Sequence, residues 1–178
     1  MSTAKLNVAD KATFTVAGIE FIKFPETNGK VPVVARHLPF TSKFGDNNDL
    51  NNSYFLKKLN ELYEKIAFEI GEENICEFET DLTTLDGLKP YPNYKSKISI
   101  PAFDFYRDNS EIFDIYPVNN FWWLATPESA QPHDDPNWTL CVSPRGIIRY
   151  FNGDYFDIGV RPFLIFESSL FVSNGTQK

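Results

Sequence analysis

The 178 residues contain only two cysteines, two histidines and one methionine. Cys76 and Cys141 lie far apart in the chain, with no CxxC and no Cys/His spacing, so neither a zinc site nor a disulfide framework is expected. Both sit in apolar runs, Ile75-Cys76 and Leu140-Cys141-Val142, where a free cysteine serves as a small hydrophobe. Positive charge is also scarce. Lys and Arg number 17 against 24 Asp and Glu, a net charge of -7. With no basic stripe, recognition of a nucleic-acid backbone or an anionic membrane surface is disfavoured. No apolar run reaches the length of a membrane span, and the polar opening Met1-Ser2-Thr3-Ala4-Lys5 lacks a signal-peptide core. The expected location is a cytoplasm, or a virus particle assembled in one. Gly18, Gly29 and Gly45 are isolated, so there is no phosphate-cradling loop. Two His and scattered Ser do not define a nucleophilic triad, and no internal repeat is present.

What the chain has in quantity is aromatic residues. They make up 16% of it, with 17 Phe, a composition that favours sheet over a helical bundle. Its length points to one domain, with a core at about 12–167 between polar termini. A domain of that size buries roughly 70% of the surface its unfolded chain exposes, enough to fold without a metal or a staple.

The chain is organised around Phe121-Trp122-Trp123-Leu124-Ala125-Thr126-Pro127, a short apolar run stopped by its proline and read as a strand buried on both faces, or on one face with the other Trp exposed. Neighbouring side chains on a strand point to opposite faces, so Trp122 and Trp123 must enter different layers. The apolar stretch 159–166 is its expected partner, within a last strand running from about Ile158 to Phe166. Upstream, Ala12 to Phe24 alternates as a hairpin around Ala17-Gly18. Val31 to Ala35 is a third strand that Pro32 places at an edge or makes start late. Phe55, Leu59, Leu62, Ile66 and Ile70 form one helical stripe opposite charged residues, started by Asn52 or Ser53 and ended by Gly71. Residues 76–96 are turn-rich. Ile98-Ser99-Ile100 reads as a strand, Pro101 to Arg107 as a short helix with Pro101 in its first turn, and Ser110 to Phe113 as a second. Residues 138–142 and 146–151 read as two further strands, with the tail frayed beyond Val172.

The order of these pieces resembles an uncharacterised domain family of bacterial and phage proteins whose hallmarks are WWLRSP and GVRPAL. The resemblance is carried by Trp122, Trp123, Leu124, Thr126 and Pro127, and by Gly159, Val160, Arg161 and Pro162. Ala125 stands where Arg is usual and Phe163 where Ala is usual, which leaves the fold in place and puts a shared ligand in question. The family is similar in layout to the C-type-lectin-like fold of formylglycine-generating enzymes and phage tropism determinants. The resemblance implies an α+β, C-type-lectin-like domain: one main amphipathic helix and short helices on small antiparallel sheets, presenting loops for binding. It carries over no catalytic residue, because the formylglycine enzymes work through paired cysteines.

Trp122, Trp123, Arg161 and Pro162 are read as structural. Arg161, inside an apolar strand, needs a partner, either a structural pair and loop carbonyls or a ligand. The loops 89–94, 127–138 and 152–157 form the candidate binding face. Within them Tyr91, Tyr94, Asp134, Asp135, Asn137, Trp138, Asp154 and Tyr155 are the candidate binding residues, with Tyr150 and Phe156 as further aromatics. Asp134, Asp135, Asn137 and His133 could gather oxygens around Ca²⁺, but a solvated loop is the better reading and no metal or other cofactor is expected. His37 reads as an ordinary histidine. The expected function is non-enzymatic: a phage virion surface, decoration or tail-associated component in a virion or bacterial cytoplasm. Its partner would be a protein or a cell-surface ligand, with self-association or docking on a larger particle, and without nucleic acid or membrane insertion. The alternative is an acidic intracellular inhibitor of a host defence protein, favoured if Asp46, Asp49, Glu72, Glu73, Glu77 and Glu79 share one face.

Overall fold

A computed structural model describes residues 4–172 and shows an α+β chain with eleven short strands and three helices among those residues. Strands β1 (Thr13–Val16), β2 (Ile19–Lys23), β3 (Lys30–Ala35) and β11 (Phe163–Glu167) form a four-stranded antiparallel sheet in that order. The β1–β2 turn is the expected one: Ala17 and Gly18 both take positive φ, 51° and 74°, as a two-residue hairpin matched to strand twist requires.

A five-stranded sheet contains β4 (Phe40–Ser42), β10 (Ile158–Val160), β7 (Trp122–Pro127), β8 (Trp138–Val142) and β9 (Ile148–Asn152), again in that order. Gly159 pairs with Trp122, so the double-Trp strand and the closing segment are neighbours in one sheet. They run parallel, which makes the sheet mixed and not purely antiparallel. A third, two-stranded sheet joins β5 (Phe78–Thr80) to β6 (Tyr94–Ser96).

Pro32 is not at an edge. Its strand lies between β2 and β11, with Pro32 opposite Ile165. Its carbonyl accepts from Phe24 N–H at 3.0 Å, so its missing N–H faces the end of β2, where the ladder has already run out. The last strand is not continuous either. It breaks at Arg161-Pro162, and the two halves enter different sheets. Proline removes a ladder donor, and Pro162 passes its own carbonyl to Ala35 N–H at 2.9 Å. Residues 98–100 make one reciprocal bridge, Ser99 with Phe163, instead of a strand. Pro101 prevents extension, and buried Ser99 turns its hydroxyl to Thr80 Oγ1, 3.0 Å away.

Helix α1 (Leu56–Ile70) buries Leu59, Ile66 and Ile70 and ends at Gly71, φ 87°. Neither Asn52 nor Ser53 caps it; Phe55 occupies the N-cap with no side-chain bond. The cap that is present belongs to the preceding 3-10 turn Leu50–Asn52, where Asp49 accepts from Asn51 N–H at 3.0 Å. Helices α2 (Phe103–Asp108) and α3 (Ser110–Ile115) follow one another, with Ala102 and not Pro101 at the first boundary.

Alternation along β7 sorts its side chains into two cores. Trp123 and Ala125 join a core shared with α1, Phe21, Val33, Phe44, Phe55 and Leu164. Trp122 and Leu124 join a second core with Ile22, Val34, Tyr106, Phe113 and Phe163. Each large sheet is therefore buried on both faces. No helix among the described residues is long and apolar enough to cross a membrane.

Candidate functional site

The polar segment 44–52, which the sequence presents as a plain loop, is the hub on which the candidate loops are hung. Asn48 is fully buried. Its Nδ2 donates to Ser129 O at 2.8 Å and Trp138 O at 2.9 Å, and its Oδ1 accepts from the Tyr91 hydroxyl at 2.6 Å. Its backbone N–H reaches Pro136 O at 2.7 Å. One amide thus ties 89–94 to both ends of 128–138. Gly153 couples the third loop: its N–H donates to Asn137 O at 2.9 Å, and its carbonyl accepts from Phe44 N–H at 2.7 Å. A Cβ at Gly153 would meet Phe44 Cβ at 3.0 Å, so any larger residue has to displace Phe44 by a few tenths of an ångström.

Asp86 is a second anchor. Its carboxylate accepts from Ser129 Oγ at 2.6 Å, from the Thr84 hydroxyl, and lies 2.6 Å from His133 Nδ1. These bonds, the one from Ser129 foremost, hold the Asp86 carboxyl well below the usual carboxylate range. Burial, with Asp134 and Asp86 nearby, pushes the Glu128 carboxyl up. Ser129 donates to the carboxylate and not to the imidazole, so Ser129, His133 and Asp86 do not form the nucleophile–base–orienter relay of a triad. The loop also contains a cis Gln131–Pro132 bond.

Of the candidate residues, Trp138 and Tyr155 belong to two separate aromatic groups near β9, since Tyr150 and Phe151 are neighbours on that strand and face opposite ways. Trp138 meets Tyr150 edge-on at 5.5 Å, Tyr155 meets Phe156 at 4.9 Å, and Phe156 rests on Phe151 at 5.0 Å. Phe151 in turn touches Phe121 at 5.1 Å, at the margin of the first core. Tyr150, Tyr155 and Phe156 are exposed. Asp154 is also exposed beside them, its N–H donating to Asn152 Oδ1 at 3.2 Å. Asp134 and Asp135 are exposed on the neighbouring loop, where Asp134 Oδ1 accepts from Asp135 N–H at 2.7 Å. Asn137 is half-buried and contributes its carbonyl to Gly153. Tyr91 is half-buried with its hydroxyl committed to Asn48, and Tyr94 lies in β6 against the first core, where burial raises its phenol pKa. No group of three or more His, Cys, Asp or Glu side chains with metal-holding geometry occurs among the described residues. Cys76 and Cys141 are both free and buried, and burial pushes the Cys141 thiol up to about 12. His37 is exposed and pairs with Glu20 at 3.2 Å.

Arg161 is 1% exposed. Its Nε donates to Ala35 O at 2.7 Å, and its Nη2 to Arg36 O at 3.2 Å and Tyr116 O at 3.3 Å. The guanidinium carbon stands 5.1 Å from the ring centres of both Phe113 and Trp122. These contacts fit the structural role expected of Arg161. The group's neutralisation is carried by carbonyls and π-faces, because no carboxylate lies within ion-pair distance among the described residues. Burial, aided by the Arg36 charge, pulls its pKa down to about 9, so it remains charged at neutral pH.

Sequence reasoning missed Asn48, Asp86 and Ser129. Asn48 lies in a run of turn-forming residues, Gly45-Asp46-Asn47-Asn48-Asp49, and no local signal separates a buried Asn from a solvated one. Comparisons of the chain with protein families, with curated proteins and with solved structures find no match.

Proposed function

We propose that this protein is a non-enzymatic binding protein of phage origin, a virion surface, decoration or tail-associated component, built on a C-type-lectin-like scaffold. The observation that carries this reading is the set of exposed aromatics Tyr150, Tyr155 and Phe156, with half-buried Trp138 against Tyr150. Tyr150 lies on β9, an edge strand of the five-stranded sheet, and Tyr155 and Phe156 follow it, beside loops fastened by Asn48. Rigid aromatics on a fixed base give contact area at low entropic cost, and such residues dominate interface energetics. The partner on this reading is a protein or a cell-surface ligand.

The reading as an acidic inhibitor of a host defence protein has less support. Glu72 pairs with Lys97 at 3.0 Å, Glu77 pairs with Lys95 at 3.1 Å, and Asp49 is spent on its cap. These carboxylates do not offer an unpaired row to a nucleic-acid-binding surface.

Mass spectrometry of purified particles tests the proposal. The chain is expected among the particle proteins, and Tyr155→Ser with Phe156→Ser is expected to remove it while lowering the thermal midpoint only slightly. Particles that lack the wild-type chain would refute the virion assignment.

A further inference from the structure

At the margin of the second core a half-open pocket of about 340 Å³ has Arg161 in its wall. It lies at the closed end of the β8–β9 hairpin, away from the aromatic surface at the Trp138–Asn152 end. Tyr106, Phe113 and Trp122 supply apolar walls, and Arg145 and Asp114 stand in the lining. Three features make this more than a packing defect. Arg161 uses Nε and Nη2 for its three carbonyls, while Nη1 has no hydrogen-bond partner among the described residues. Nη1 is not sealed from solvent, so it is a donor open to the pocket. Arg145 is exposed in the turn and joins no ion pair among the described residues. The Arg36 charge adds to the positive potential at Arg161. In a chain with a net charge of -7, this pocket gathers two cationic groups, Arg145 and Arg161, the latter with one guanidinium nitrogen free, beside the Asp114 carboxylate.

We propose that this cavity binds a small organic carboxylate, one oxygen on Arg161 Nη1, the charge facing Arg145, and the apolar body against Tyr106 and Trp122. A monoanion suits the lining better than a phosphate dianion. Only one Arg161 nitrogen is free, so no bidentate fork is offered, and the Asp114 carboxylate opposes a second negative charge. The mixture of apolar wall and a few convergent polar groups is that of small-molecule sites.

The test uses the full chain and benzoate as probe, followed by the indole and guanidinium signals of Trp122 and Arg161 in NMR. Benzamide serves as the neutral isostere, and inorganic phosphate as the competing anion. Arg161 also holds the fold together, so the variants are Arg145→Gln and Asp114→Asn, both at exposed positions. Saturable benzoate binding is expected, with benzamide at least about tenfold weaker. Arg145→Gln should weaken binding by roughly fivefold and Asp114→Asn should strengthen it by a similar factor. Absence of saturation up to about 50 mM benzoate, equal binding of benzamide, or indifference to both substitutions overturns the site. Tighter binding of phosphate than of benzoate overturns the carboxylate assignment.

Discussion

Trp122 and Trp123 are adjacent in the chain and equally hidden from water, yet their surroundings differ in kind. Trp123 lies in a neutral core: it meets Phe44 edge-on at 5.6 Å, and its Nε1–H donates to Ser42 O at 2.8 Å. Trp122 stacks on Phe113 at 5.5 Å, meets Tyr106 at 5.7 Å, and shares a buried guanidinium and a cavity with them. One strand thus divides a hydrocarbon layer that fixes the fold from a layer that keeps a charge and empty space. A core organised only for stability would fill that space.

The largest expected effects test that division directly. Truncating a buried Trp removes its transfer energy and leaves a void, at about 3–5 kcal/mol. Trp123→Ala belongs at the upper end, because its void is enclosed and Ser42 O loses its donor. Trp122→Ala belongs at the lower end, because water already has a path through the cavity to the space left behind. Denaturant midpoints for the two variants would break the comparison if their order were reversed. Arg161→Met comes next, at about 3 kcal/mol, since three carbonyls lose their donors at once. Arg161→Lys should recover only part of this, because an ammonium cannot span carbonyls arranged for a planar fork.

The same contrast explains how much of the molecule was legible in the sequence. Periodicity identified the first core well. The α1 stripe, the β1–β2 hairpin and the opposed indoles follow from local spacing, which the backbone period enforces. The β10–β11 break was hidden because the residues on both sides of Arg161-Pro162 are apolar, and apolarity does not say which sheet a residue joins. Strands β5 and β6 were hidden because three residues are too few to show a period. For the candidate site, the aromatic composition of 150–156 was readable, whereas its support was not. Asn48, Asp86 and Ser129 act across the fold, with partners that no sequence spacing records.

Asn48→Ala sharpens the comparison at the opposite end of the β8–β9 hairpin. It strands the Ser129 and Trp138 carbonyls and the Tyr91 hydroxyl, for about 2 kcal/mol. The damage should stay local, so limited proteolysis should cut within 128–137 while the indole environments are kept. Cleavage elsewhere, or none, would mean that the amide is not the anchor. Acid should act on the same loop through Asp86. Its carboxyl is held below the ordinary range in the fold, so its contribution is complete above the unfolded value of about 3.9 and fades as pH falls below it. Asp86→Asn should remove that part of the acid dependence and lower stability above pH 5, where the carboxylate contributes in full. An unaltered acid profile would show that the bonds to Ser129, Thr84 and His133 do not bias folding.

The smallest expected effect is at Tyr155, 73% exposed at the tip of the aromatic surface. Tyr155→Ser should change stability by no more than about 0.5 kcal/mol, the range of surface substitutions that touch no buried network. Its ring leans on Phe156, which leans on Phe151, and Phe151 and Phe121 both pack against the first core. Each step inward should therefore raise the penalty, so that Phe151→Ser costs more than Phe156→Ser, and Phe156→Ser more than Tyr155→Ser. Thermal midpoints of the three variants check the gradient. A flat series would detach the aromatic surface from the core beneath it, and a steep loss at Tyr155 itself would make that ring a fold element and not a free contact surface.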